Sequence, residues 1–316
     1  MKLNLKTFAL NLAPIIIFIL ACGQTGNTIN KSPNISQTVN TSKYEISENS
    51  TSLIVTPANQ YKTKETANTA SKNIDNIPVL QNLLIKNLGP DNPSNQSFGD
   101  LKYDTRFNGS VFNEFGLSRI DGQGNQRYNP TFEFKAPANT VLVSPITGKI
   151  SYIEWQASAN DWEIHIRSNN ESDWRIGIDH LLSLDCNRTD IPQNLCDLPL
   201  EINGNIIFEG MYVEAGDLIG YIGTWSDYEN IGINGRTELT VFKYINGYDG
   251  VINYCPVEFL SMEVRDINES IISELMKSFE KWSTDDSIFD EKNMVAPGCL
   301  YQTIKEINGN FEISNH

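Results

Sequence analysis

The chain has 316 residues, 40% of them hydrophobic, which is enough for a real core and allows one or two domains. It carries 24 Lys and Arg against 39 Asp and Glu, a formal charge of −15. That balance repels nucleic acid and anionic lipid headgroups, and no basic patch with interleaved aromatics offsets it, so no nucleic-acid partner is expected.

The amino-terminal segment comes first. Lys2 and Lys6 precede an apolar run from Ala13 to Ala21 that stops at Cys22. A membrane-spanning helix needs roughly 20 apolar residues, so this run is too short to cross. A charged start, an apolar middle and a small residue at the cut are the layout of a signal peptide over residues 1–21. Ile19-Leu20-Ala21-Cys22 resembles the bacterial lipobox, whose cysteine is acylated and becomes the first residue of the mature chain. An ordinary signal peptide with an incidental cysteine is the alternative, and the place of Cys22 at the end of the apolar run favours lipidation. The expectation is a lipid-anchored protein of the bacterial cell envelope, with its folded part outside the cytoplasm and its membrane contact made through the anchor.

Residues 22–98 are expected to form a disordered polar tether. The segment is crowded with Asn, Ser and Thr, and has too few apolar residues to offset the entropy of ordering. Near 77–88 it carries a short apolar cluster of Ile77, Val79, Leu80, Leu83, Leu84, Ile85 and Leu88, which predicts one or two helical turns ended by Gly89-Pro90.

From 99 to 262 the pattern is β-rich. Short runs of alternating or β-branched residues stand between Gly, Asn and Asp, and predict strands at 141–144, 148–155, 161–168, 173–180, 205–208, 218–222 and 236–244. There is no βαβ rhythm, so the fold expected is mainly β, with antiparallel pairing in a β-sandwich or a partly closed barrel. Residues 263–316 make the C-terminal part. Ile267, Ile271, Ile272, Leu275, Met276, Phe279 and Trp282 recur at helical spacing and predict a packed helix over about 266–283.

Four cysteines remain once Cys22 is set aside: Cys186, Cys196, Cys255 and Cys299. An even number in an oxidising compartment suggests two bridges, and three connectivities exist. Pairs 186–196 and 255–299 are preferred, because each closes a local unit. A metal role for these cysteines is weak, with no C-x-x-C pair and no nearby histidine.

A set of motifs between Val111 and Ile245 carries a resemblance. Phe115-Gly116 with Arg119 close behind, the stretch Asn129 to Thr140, and Val143 to Gly148 follow one another. Ile178-Asp179-His180-Leu181, the glycine-spaced run Glu209 to Gly220, and Arg236 to Val241 complete the order. Together they resemble the β-sandwich domain of lysostaphin-type zinc endopeptidases, which cut peptidoglycan cross-bridges. The resemblance implies a fold of the duplicated-hybrid-motif type. It also implies a zinc held by His and Asp of a His-x-Gly-x-Asp motif and by the second His of His-x-His, with two further histidines acting on the water.

Carried over residue by residue, those metal positions are Asn129, Glu133 and Thr240, and the two catalytic positions are His180 and Glu238. Only His180 keeps the family identity. A carboxamide and a hydroxyl are poor zinc donors. The chain has three histidines in all, His165, His180 and His316.

Bland readings stand beside these. Strand alternation puts His180 on the face of Trp174, Ile176 and Ile178 as a satisfied buried imidazole, with Asp179 on the opposite face. Glu238 is expected to pair with His180 or a nearby arginine. Glu133 reads as a surface carboxylate between two core-facing phenylalanines, and Asp161-Trp162-Glu163 as a hairpin edge.

The expectation for function is a catalytically inactive, peptidase-like module that binds or regulates at the cell wall, its partner peptidoglycan or a cell-wall hydrolase, with no cofactor. The alternative is a metal-dependent peptidoglycan endopeptidase with one divalent metal, zinc or another, on a rearranged set of Glu133, His180 and Glu238. A purely structural role built on the C-terminal helix is the third reading.

Overall fold

The computed structural model describes residues 77–90, 96–104, 109–169, 172–186, 196–224 and 234–315. Every described residue lies within Ala67–His316. The expected signal peptide, Cys22 and most of the expected polar tether lie outside the described residues. Among the described residues, no helix is long and apolar enough to cross a membrane.

The fold is mainly β and antiparallel, with one α-helix towards the C-terminal end, as the patterning predicts. The strands that build the large sheet are β1 (Phe132–Pro137), β2 (Val141–Val143), β3 (Gly148–Gln156), β4 (Asp161–Arg167) and β5 (Trp174–Leu182). They continue as β6 (Leu218–Ile222), β7 (Asn234–Tyr244), β8 (Gly250–Tyr254), β9 (Thr303–Ile307) and β10 (Asn310–Ser314). The order β3-β4-β5-β7-β8-β9-β10 runs across the sheet. β1 pairs with the first half of β7, and β6 pairs with the last residues of β5 and with β2.

Period-2 alternation decides which face is buried. Ile164 and Ile166 of β4, Ile176 and Ile178 of β5, and Leu239 and Val241 of β7 are fully buried. They pack with Phe112, Phe132 and Phe134, whose rings lie 5.2–6.4 Å apart. Burying each such side chain contributes about 1.5–3 kcal/mol. The residues between them face the other way, and that second face holds the polar side chains described below.

The middle of the apolar cluster at 77–88 is part of this core and is not helical, while Ile77 and Val79 are exposed. Leu80, Leu83, Leu84 and Ile85 are buried, and Leu80 and Ile85 make bridges to Leu260 and Leu142. The expected helical turn is pre-empted locally. Asn82 Oδ1 accepts the Leu84 backbone N–H at 2.9 Å, and Leu84 takes φ 73°, so a side chain supplies the bond that a helix would otherwise use.

The helix α1 spans Met262–Ser283 and buries Ile272, Leu275, Met276 and Phe279. Ile267 falls outside that stripe and is 62% exposed, while Asn268 is buried with its amide bonded to the Val264 carbonyl. The helix stops at Thr284, whose left-handed conformation (φ 59°) returns its N–H to the Glu280 carbonyl.

Both disulfides have the expected pairing. Cys186–Cys196 and Cys255–Cys299 have Cα separations of 5.8 and 5.9 Å, within the normal range for a bridge. The second one brings the segment after α1 back to the sheet beside Phe115. Gly298 is needed there: with φ +75°, an added Cβ would sit 2.9–3.1 Å from Ile272, Phe112 and Phe132. The tail then adds β9 and β10 to the sheet, two strands that the sequence patterning does not reveal.

Candidate functional site

The polar face of the sheet carries carboxylates in register. Glu154 of β3 stands opposite Glu163 of β4. Asp179 of β5 stands opposite Glu238 of β7, and Glu238 stands opposite Glu133 of β1. Like charges directly opposite one another are destabilising unless something compensates them. The compensation differs along the row.

At the β1 end it comes from fixed cations. Arg119 reaches Glu133 at 3.2 Å and Lys135 reaches it at 3.6 Å. Burial pushes the Glu133 carboxyl up, but Lys135, Arg119 and an Asn113 hydrogen bond outweigh it and hold the carboxyl below its usual range. Glu133 is thus a buried, paired carboxylate and not the surface residue that its sequence context suggests. Arg236 stands 3.9 Å from Glu238.

At the β5 end the compensation comes from His180. The pairing of β5 with β4 shifts between Ile178 and Leu181, and His180 has φ 60°, a bulge conformation rare for a residue with a Cβ. The bulge rotates His180 out of strict alternation. Its ring lies with Asp179 and Glu238, and not on the face of Ile178, Ile176 and Trp174 as simple alternation predicts. Asp179 is likewise beside the imidazole and not turned away from it. The backbone is held there by Gly223, whose N–H donates to the His180 carbonyl at 2.7 Å.

His180 is clamped from behind. Its Nδ1 donates to Asp161 Oδ2 at 2.9 Å, and the same oxygen accepts the Thr224 backbone N–H at 3.1 Å. Asp161 is fully buried, and its Oδ1 has no hydrogen-bond partner among the described residues. The opposite ring nitrogen, Nε2, faces Asp179 Oδ2 at 3.5 Å and Glu238 Oε1 at 3.8 Å. Burial pushes the imidazole pKa down, but the Asp161 bond and the neighbouring carboxylates outweigh it and raise it. Burial raises the Asp179 and Glu238 carboxyls, and the imidazole opposes both shifts. These side chains open onto a cleft of about 640 Å³ rimmed by Glu154, Trp155 and Arg236.

The remaining sequence-predicted positions do not join this cluster. The Asn129 amide donates to the carbonyls of Glu114 and Thr131, both at 2.9 Å, and its oxygen accepts from the Thr131 hydroxyl at 3.2 Å. Thr240 lies opposite Gly177, two residues along β7 from Glu238. The zinc implied by the resemblance therefore does not fit its own positions. Asn129 is committed to backbone groups, Glu133 to two cations, and Thr240 offers a hydroxyl in place of an imidazole. No hydrolytic step is derived through such an ion.

Asp161 and Asp179 are the residues that sequence reasoning missed. Asp161 sits beside Trp162 at the start of a strand, and nothing local distinguishes it from a hairpin edge. The signal for Asp179 was available only as its adjacency to His180. The other described histidine, His165, is structural: it bonds Glu163 at 2.8 Å, stacks on Tyr152 at 4.6 Å and meets the edge of Phe242 at 5.1 Å.

No protein-family model matches the chain, and no curated protein matches it. The solved structures that it resembles are lysostaphin-type peptidases. One is the antimicrobial peptidase lysostaphin from Staphylococcus simulans, at 16% identity over 42% of this chain and 43% of that chain, with a TM-score of 0.28. Another is Helicobacter pylori Csd3, at 14% identity over 58% of this chain and 46% of that chain, with a TM-score of 0.31. A third is LytU, at 20% identity over 46% and 82% respectively, with a TM-score of 0.28. The chain spans less than half the length of the lysostaphin and Csd3 structures. At TM-scores this low the overlaps decide nothing about the site, which is read from this chain's own side chains.

Proposed function

We propose that this chain is a lipid-anchored envelope protein whose peptidase-like β-sheet domain binds at the cell wall and does not act as a zinc endopeptidase. Its partner in this reading is peptidoglycan or a wall hydrolase, and the anchor is Cys22. The observation that carries the reading is the Arg119–Glu133–Lys135 cluster. Two protein cations stand against the carboxylate that would ligate the metal, and Asn129 is bonded to backbone carbonyls where an imidazole would be required. Without a Lewis acid at that point nothing polarises a scissile amide or acidifies a water. The same ion pairs weigh against a rearranged site that includes Glu133. The two disulfides favour an oxidising, extracytoplasmic location.

The test uses the exported chain, supplied with one equivalent of zinc and mixed with purified cell-wall sacculi or glycine-rich peptides. The expected result is retention on sacculi with no cleavage above background. Cleavage that disappears in His180→Ala would overturn the inactive reading, and absence of retention would overturn the wall-binding reading. A Cys22→Ser chain is expected to leave the membrane fraction.

A further inference from the structure

We infer that a divalent first-row transition ion, with zinc as the test case, binds between His180 Nε2, Asp179 Oδ2 and Glu238 Oε1, with Asp161 as the group that orients the imidazole. This goes beyond the binding role proposed above. It uses a ligand set that includes neither Asn129, Glu133 nor Thr240.

The argument begins with the tautomer. Asp161 Oδ2 accepts from Nδ1 at 2.9 Å, so Nδ1 carries a proton and Nε2 is the ring atom that faces the cleft, where a metal would displace any proton it holds. A carboxylate behind a histidine is the usual way to fix the ring of a metal-binding imidazole. In front of it stand two carboxylate oxygens at 3.5 and 3.8 Å, longer than normal hydrogen bonds. The gap has a size. Donors around a tetrahedral ion at about 2.0–2.2 Å lie about 3.3–3.6 Å from each other. Acceptors around an ammonium, at about 2.8 Å, would lie about 4.6 Å apart. The observed separations match the metal and not the amine, with a small rotation of Glu238 closing the longer one.

Charge and burial agree with this geometry. One neutral imidazole and two carboxylates balance a divalent ion. Asp161 Oδ1 is a fully buried carboxylate oxygen without a hydrogen-bond partner among the described residues. Asp161 meets the ring at Nδ1, so it fixes the imidazole from behind and is not a ligand of an ion at Nε2. Arg236 is the competing cation at Glu238, but its side chain is 32% exposed and 3.9 Å away, so it can swing into solvent. Imidazole with carboxylate suits zinc, iron(II) or manganese better than magnesium or calcium.

Equilibrium dialysis of the exported chain against zinc, with magnesium and calcium as controls, tests this. One zinc per chain is expected, with affinity at least tenfold above the controls. Asp179→Asn, Glu238→Gln and His180→Gln should each weaken it more than tenfold, and Thr240→Val should not change it. In case a variant fails to fold, cobalt(II) added to the unaltered chain gives a second readout. Visible absorption of a tetrahedral nitrogen–oxygen site is expected, and octahedral absorption or none counts against it. No retained zinc would overturn the inference. So would zinc that persists in Asp179→Asn but is lost in Glu133→Gln. Sacculus retention measured with and without chelator separates this inference from the proposed function, because either can fail while the other stands.

Discussion

The two ends of the carboxylate row solve one electrostatic problem in opposite ways. At the β1 end Glu133 is closed off by Arg119 and Lys135, cations supplied by the fold itself. At the β5 end Asp179 and Glu238 face Nε2 of an imidazole across separations too long for hydrogen bonds. The first end is internally complete and the second has room for a further cation. One sheet face can therefore close a carboxylate with its own cations at one place and leave carboxylates open at another, because each cluster is held by different strands.

The largest effect that would break this comparison is expected from Glu133→Ala. The Lys135 side chain is only 8% exposed, and the substitution removes the carboxylate paired with its buried ammonium. Such a loss costs about 3–5 kcal/mol. Arg119, 48% exposed, should tolerate alanine at about 0–1 kcal/mol. Denaturant midpoints of the two variants check the difference. Equal, small shifts would mean that the β1 end is not closed in the way described.

A smaller effect is expected from Gly223→Ala, aimed at the β5 end alone. An added Cβ would stand 2.5–2.6 Å from the His180 carbonyl carbon, carbonyl oxygen and Cβ. The contact is with backbone, so the bulge must move, at a cost of about 1–3 kcal/mol. Zinc retention should fall with it, while Glu133 keeps its pairing. Unchanged stability and unchanged zinc would show that Gly223 does not hold the bulge.

The smallest effect sharpens the comparison from the side of Arg119. This arginine lies on the short strand Ser118–Ile120, paired with Gln126–Tyr128 through a turn closed by Asp121. The Asn125 backbone N–H, the Asn125 amide, Arg127 and the Gln123 backbone N–H all donate to Asp121 and lower its pKa to about 2. A depressed carboxyl stabilises the turn above its unfolded value, and that contribution fades as pH falls through about 2. An NMR titration of the Asp121 carboxyl should show its midpoint there. A midpoint near the unperturbed 3.8 would mean that the turn does not hold the hairpin.

Much of the scaffold was legible in advance. Strands predicted at 148–155, 161–168 and 218–222 coincide with β3, β4 and β6 to within a residue, because each alternates apolar and polar side chains between turn residues. The site was less legible. Glu238 stands beside His180 and Arg236, the pairing that its sequence context suggests, but Asp161 is 19 residues from His180 in sequence and reaches it only because β4 pairs with β5. Periodicity also gave His180 the wrong face, since alternation has no term for a bulge.

The sequence by itself determined the β-rich class, the C-terminal helix, an even set of four cysteines after Cys22 and the absence of imidazole at Asn129 and Thr240. These follow from composition, local period and side-chain identity, which need no knowledge of neighbours. Tertiary structure alone decided that Glu133 is buried between two cations, that Leu80, Leu83, Leu84 and Ile85 join the core, and that β9 and β10 extend the sheet. It alone turned His180 towards Asp179 and Glu238. Burial, cross-strand register and a single left-handed backbone angle depend on which strands meet, and that is fixed only when the sheet closes.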